Sequence, residues 1–310
     1  MTINSKKILI TGCGGMLGKY VYDHFRKHYN VLATDIDLNE KWLEYLDVTK
    51  FKQLEETIKR FQPDYLFHLA AETDLEKCQQ HPKQAFKVNA LAVKYVAQLS
   101  KKYRLTVVYM STGNVFKGNK DTGYTERDKT APLNVYGKTK LAGERYIKKY
   151  LTRYIIIRAG WMFGGGPKKD KKFVNLIVKQ LADSDHGRKE IKVVKTMPSS
   201  LTYPLDVARV IERLLIRKKY GTYHLACQGQ CTRYELAEFI SKQLNFDQVK
   251  FRLVDPLYYK NRYFVKRPAS ERLLSYKLDK LNLYKTDDWH KAVGQYLNSE
   301  FKDYHNGKSR

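Results

Sequence analysis

The chain has 310 residues, 58 of them Lys or Arg and 32 Asp or Glu, for a formal net charge of +26, and 43% of it is hydrophobic. That length exceeds one small core and implies a large α/β domain with a smaller companion. A polar start runs into only a strand-length apolar segment, and the basic residues are scattered from Lys6 to Arg310 without a dense arm, so neither a signal peptide, a membrane span nor a nucleic-acid module is expected, and the cytoplasm is the expected compartment.

Lys7-Ile8-Leu9-Ile10 suits a buried parallel strand, and it leads into Thr11-Gly12-Cys13-Gly14-Gly15-Met16-Leu17-Gly18. In such a turn Gly12 permits the tight bend, Gly15 lets the backbone approach a pyrophosphate, and Gly18 lets the following helix, Met16 to Lys27, lie close on the strand. The helix N-terminus adds amides and a positive dipole for the phosphates. Asn30 to Asp35 reads as a second strand ending in a carboxylate, 17 positions after Gly18. A carboxylate there bonds a free ribose 2′-hydroxyl and repels a 2′-phosphate, which favours NADH over NADPH. Asp37 is the alternative reader, and Lys41 could offset the repulsion. Asp64 to Leu69 is a third strand, Lys83 to Lys102 a long helix, and Leu105 to Met110 a fourth strand. Val135 to Lys149 is a further helix and Tyr154 to Arg158 a fifth strand. This alternation predicts a Rossmann-type doubly wound parallel sheet. Beyond Gly164-Gly165-Gly166-Pro167 it becomes less regular, which marks a smaller C-terminal α/β substrate-binding domain. The expected division is 1–160 for the dinucleotide domain, rejoined by 203–226, with 161–202 and 227–310 forming the smaller one.

Tyr136 and Lys140 stand four residues apart in the predicted helix, on one face. A phenol titrates near ~10 in isolation, so a neighbouring ammonium that stabilises the anion turns it into a general acid for a carbonyl under reduction. Cys13, Cys78, Cys227 and Cys231 form neither a Cys-x-x-Cys pair nor a zinc spacing, which fits reduced thiols, and no metal is expected.

With Leu46-Asp47-Val48-Thr49, His68-Leu69-Ala70-Ala71, Val88 to Ala92, Ser111-Thr112, Asn134 to Glu144, Gly160-Trp161, Tyr223 to Ala226 and Arg267-Pro268, the chain resembles the extended short-chain dehydrogenases/reductases, in particular the dTDP-4-dehydrorhamnose reductase family, over nearly its whole length. The resemblance implies a catalytic triad of Thr112, Tyr136 and Lys140. Thr112, at the carboxyl end of the fourth strand where open α/β sheets hold their ligands, would hydrogen-bond the substrate carbonyl. Tyr136 would protonate it, and Lys140 would bond the nicotinamide ribose and depress the phenol's pKa. Asp47 and Val48 resemble an adenine-binding pair. Ala70 and Ala71 would line the pyrophosphate and ribose, and Thr73 with Gly14, Met16 and Leu17 completes the expected cofactor set. Asn89 would support the active-site strand, and His68, inside an apolar strand, is expected to be a packed core histidine.

Gly113-Asn114 follows Thr112 where sugar 4,6-dehydratases of this fold carry Asp-Glu, so dehydration is disfavoured. The dipeptide also departs from the family's usual Asp-Tyr, and Asn114 is expected to give the sugar one amide contact instead. Trp161 is expected to stack on the sugar, Thr202 to lie near the ligand, and Arg267 to bind the nucleotide diphosphate with its fork of donors. The implied activity is NADH- or NADPH-dependent reduction of a nucleotide-linked 4-keto-6-deoxysugar, dTDP-linked first, by a chain that could act as a homodimer. A C4 epimerase and a non-catalytic regulatory subunit are the alternatives.

Overall fold

The computed structural model describes residues 6–183 and 190–307. Its centre is a seven-stranded, wholly parallel sheet. In chain order the elements are β1 (Lys7–Thr11), α1 (Gly18–Phe25), β2 (Asn30–Asp35), β3 (Glu44–Tyr45), α2 (Phe51–Phe61), β4 (Tyr65–His68), α3 (Leu75–Gln80), α4 (Pro82–Phe86), α5 (Ala92–Lys102), β5 (Thr106–Thr112), α6 (Val135–Tyr150) and β6 (Tyr154–Ala159). There follow β7 (Trp161–Met162), α7 (Gly166–Lys169), α8 (Phe173–Ala182), β8 (Glu190–Val194), β9 (Leu201–Thr202), α9 (Pro204–Ile216), β10 (Gly221–Leu225), α10 (Arg233–Gln243), β11 (Lys250–Val254), α11 (Tyr276–Leu281) and α12 (Trp289–Glu300). Strand order across the sheet is β10-β6-β5-β4-β1-β2-β3. The chain reverses direction across the sheet between β1 and β4, and a crevice opens at such a switch beyond the strands' carboxyl ends.

Period-two alternation sorts the strand side chains onto two cores. Ile8, Ile10, Phe67, Val108, Met110, Ile155 and Ile157 meet Val21 and Phe25 of α1 and Val207, Ile211 and Leu214 of α9 on one face. Leu9, Leu66, Val107, Tyr109 and Ile156 meet Leu54 and Ile58 of α2, Val93 and Val96 of α5 and Ile147 of α6 on the other. Burying each such aliphatic side chain stabilises the fold by roughly 1.5–3 kcal/mol. A third core joins Ile177 and Val178 of α8, Ile191 and Val193 of β8, Ile240 of α10, and Trp289 and Tyr296 of α12. It holds the smaller unit together beneath the paired strands β8 and β11.

Two segments depart from the sequence expectations. The helix expected over Lys83 to Lys102 is divided: a π-turn over Lys87–Leu91 separates α4 from α5. The wide turn carries Asn89, whose side chain accepts from the Glu72 amide at 2.9 Å and donates to the Glu72 carbonyl at 2.9 Å and to Thr139 Oγ1 at 3.1 Å. These bonds tie the segment after β4 to α6. Leu278 of α11, with Leu281, Leu283 and Tyr284, lies on the first core, so part of 227–310 contributes to the large domain. Among the described residues no helix is long and apolar enough to cross a membrane.

Candidate active site

At the switch point β1 turns into α1 through Gly12, whose φ is +73°; a Cβ there would lie 2.3 Å from the Ala70 amide nitrogen. At Gly18 a Cβ would lie 2.0 Å from the Cys13 carbonyl oxygen, so both positions require glycine. Gly15, in contrast, is exposed, and a Cβ there meets nothing closer than 3.6 Å. Helix α1 has no side-chain cap and no acidic residue in its first turn, which leaves its amides available to an anion. Asp35 closes the end of β2: Oδ2 accepts from the Gly14 amide at 2.8 Å and Oδ1 from the Asp37 amide at 3.1 Å. Asp37 itself is exposed. These features fit a dinucleotide with its pyrophosphate at Gly15 and its adenosine ribose near Asp35.

Other expected cofactor residues contribute in narrower ways. Leu17 and Val48 turn their side chains into the cores and offer only backbone. Asp47 Oδ1 accepts from the Thr49 amide at 2.9 Å and the Thr49 hydroxyl at 2.7 Å, a turn ahead of α2. Met16, Ala70 and Ala71 are half-buried and Thr73 is exposed.

The next strand end is that of β5. Thr112 Oγ1 accepts from the Asn114 amide at 3.2 Å, and its hydroxyl stands beside the Tyr136 phenol, close enough to lower the phenol's pKa. Tyr136 and Lys140 lie one turn apart on α6. Asn134 caps that helix, its Oδ1 accepting from the Gly137 amide at 2.9 Å. The Lys140 ammonium is buried 4.2 Å from the Tyr109 ring centroid. Burial lowers the Lys140 pKa to about 7, against the opposing charges of Glu144 and Cys78. The sequence suggests a phenol depressed by its lysine; in the structure the largest influence on that phenol is its burial. Desolvation raises the Tyr136 pKa, against a lowering by the neighbouring Thr112 hydroxyl. His68 stacks on Tyr109, with Nδ1 2.8 Å from Thr11 Oγ1, and burial lowers its pKa to about 3. It is therefore a neutral packed residue, as the apolar strand around it implies.

Three expected substrate contacts, Thr202, Asn114 and Arg267, are held by protein groups. Thr202 is wholly buried: its hydroxyl donates to the Leu225 carbonyl at 2.8 Å and accepts from the Gly160 amide at 2.9 Å. Strand alternation in β9 turns it toward β10, so the expected ligand contact is corrected to a structural one. Asn114 is buried too, its Oδ1 accepting from Asn134 Nδ2 at 3.1 Å and its Nδ2 donating to Glu271 Oε2 at 2.7 Å. Its amide holds protein groups rather than offering itself to a sugar. Arg267 binds both oxygens of Glu76 through Nη2, at 2.8 and 2.9 Å, so its fork faces α3. Trp161 is half-buried and donates from Nε1 to Glu271 Oε1 at 3.1 Å.

Sequence reasoning missed Glu271 and Arg233. The guanidinium of Arg233, the first residue of α10, lies 5.4 Å from the ring centroids of both Trp161 and Phe173, and its buried Nε has no partner among the described residues. The Thr232-Arg233-Tyr234-Glu235 capping box marks the start of that helix in the sequence. Nothing local marks where the arginine points.

The family model described as the RmlD substrate binding domain matches residues 6–301. The dTDP-4-dehydrorhamnose reductase of Escherichia coli K12 is 28% identical over 305 residues, covering 95% of this chain and 98% of that one. A solved dTDP-4-dehydrorhamnose reductase from Clostridium acetobutylicum is similar at a TM-score of 0.85 and 30% identity, covering 94% and 98% of the two chains. Another from Bacillus anthracis, in complex with NADP, is similar at a TM-score of 0.83 and 27% identity, covering 95% and 99%.

Proposed function

The chain belongs to the RmlD substrate binding domain family, and from that premise we propose that it is an NAD(P)H-dependent oxidoreductase that reduces the C4 keto group of a nucleotide-linked 4-keto-6-deoxysugar, of the kind named in dTDP-4-dehydrorhamnose reductases. The observation that carries this is the convergence of Thr112, at the carboxyl end of β5, on Tyr136, one helical turn from the buried Lys140. The bound dinucleotide supplies the hydride. Thr112 orients the keto oxygen, and Tyr136 gives that oxygen its proton. Lys140 holds the nicotinamide ribose and, as an ammonium, offsets the desolvation that keeps the phenol protonated. Gly12, Gly14, Gly15 and Gly18 form the phosphate turn, and Arg233, whose buried Nε has no partner among the described residues, takes the sugar's diphosphate, with Arg267 joining it only on leaving Glu76. The expected setting is the cytoplasm, with a dTDP-linked sugar as partner, no nucleic acid, and a homodimer as the assembly.

The test is dinucleotide oxidation against a panel of dTDP-, UDP-, GDP- and CDP-linked 4-keto sugars, with the product's configuration read by NMR. Net consumption with a dTDP-linked member is expected. Sugar interconversion by a chain that retains its dinucleotide without net consumption would identify an epimerase instead, and no turnover with any sugar would leave a non-catalytic role.

Asp35 sets the cofactor preference in this scheme. Asp35→Ser should move the ratio of kcat/KM values toward NADPH by about tenfold, since one like charge near the 2′-phosphate is removed. An unchanged ratio would transfer the role to Asp37, the outer carboxylate of the same loop.

A further inference from the structure

Gly113 follows Thr112 with no side chain, yet a carboxylate stands beside it. A Cβ built on Gly113 would lie 3.4 Å from both Glu271 Cβ and Glu271 Oε2. Glu271 therefore borders the space that a side chain at 113 would enter, although it arrives from the far end of the chain, four residues after Arg267. Two donors hold it there: Asn114 Nδ2 at 2.7 Å on Oε2 and Trp161 Nε1 at 3.1 Å on Oε1. Asn114 is itself fixed by Asn134, the cap of α6, and the Glu271 amide donates to Ser199 Oγ at 3.0 Å.

We propose that Glu271 is the specificity-determining carboxylate of the sugar site, reading a ring hydroxyl from beside Gly113; this rests on the nucleotide-sugar function proposed above. Each carboxylate oxygen accepts one side-chain hydrogen bond and has capacity for another. The groups around it match that task. Tyr136 lies within reach of its charge, Trp161 offers an aromatic face, and Arg233 and Arg267 act on it as cations. Burial raises the Glu271 pKa, while Trp161, the two arginines and Asn114 hold it down. A ligand hydroxyl donating into this half-enclosed carboxylate discriminates among ring epimers, because the wrong epimer leaves the acceptor unmatched.

The substitutions are Glu271→Gln, Glu271→Ala, Gly113→Asp, and Gly113→Asp combined with Glu271→Ala. The wild-type protein is first assayed for NADH and NADPH oxidation against a set of nucleotide-linked 4-keto-6-deoxysugars that differ in one hydroxyl configuration. Glu271→Gln and Glu271→Ala are expected to lower kcat/KM for the preferred sugar by roughly tenfold to a hundredfold and to flatten the ranking of epimers. NADPH affinity and melting temperature should stay near wild type. Gly113→Asp alone is expected to lose activity, as two carboxylates then crowd one spot, and the double variant should recover part of the ranking. Glu271 variants that keep the wild-type ranking would overturn the proposal. So would variants that lose stability and NADPH binding along with activity without recovery in the double variant, which would make Glu271 a structural clamp. A wild-type chain that oxidises neither NADH nor NADPH with any of the sugars would overturn the proposed function as well, so the two failures are distinguishable.

Discussion

Tyr136→Phe should lower turnover by about a hundredfold or more while leaving dinucleotide affinity near wild type, the pattern for loss of a positioned acid. Phenylalanine fills the same space but removes the hydroxyl that carries the proton and faces Thr112. Near-normal turnover would reject the assignment. Lys140→Met should differ by weakening dinucleotide binding as well as turnover, because the ammonium serves both ribose and phenol. A pH dependence separates the two roles further. With its pKa lowered to about 7 by burial, Lys140 is charged below that pH and neutral above it in the ligand-free protein. NADPH affinity should therefore fall as pH rises through about 7, and Lys140→Met should abolish that slope. A fluorescence titration of NADPH between pH 6 and 9 checks this, and a flat wild-type profile would show that the ammonium does not hold the cofactor.

The first half of the chain was legible because local signals there agree with one another. Apolar runs of strand length, the glycine turn and the strand-end carboxylate all fall within the first thirty-five residues, and β2 spans Asn30–Asp35 as its pattern implies. The Tyr136–Lys140 helix was equally readable, with Asn134 as its cap. What escaped depends on contacts distant in sequence. Asn89 takes a π-turn because its side chain binds Glu72 and Thr139. Thr202 faces inward because β9 is a two-residue strand paired to β7 and aimed at Leu225. The direction of the Tyr136 shift follows from how deeply α6 is covered, which spacing along a helix does not encode. Glu271 is the clearest case: its partners, Asn114 and Trp161, lie more than a hundred residues away. The departure at Gly113-Asn114 signalled an altered sugar site, while the compensating carboxylate carries no motif of its own.

Glu144→Ala should destabilise the protein by ~3–5 kcal/mol, the range for stripping one partner from a buried ion pair. The carboxylate is fully buried. It accepts from Arg158 Nε at 2.8 Å, Arg158 Nη2 at 2.7 Å and Ser111 Oγ at 2.6 Å. Arg158 is itself enclosed, 5.1 Å from the Phe116 ring centroid and 3.4 Å from His224 Nε2, whose pKa burial and the arginine lower to about 3. Removing Glu144 thus leaves a guanidinium among apolar groups and a neutral histidine. Burial alone would raise the Glu144 pKa, but Arg158, then Lys148 and Ser111, bring it below the usual carboxylate value. A carboxyl depressed in the folded state contributes stability above its unfolded pKa of ~4.3 and loses it as pH falls through the folded value. The wild-type advantage over Glu144→Ala should accordingly be full at pH 7 and shrink as the pH is taken below ~4. Replacing Glu144 and Arg158 together with leucine should recover much of the loss, since neither charge is then stranded. Urea unfolding at both pH values measures these differences, with the exposed Glu56→Ala as the control. Glu144→Ala no less stable than that control would show that the pair does not hold the sheet beneath Thr112 and Lys140.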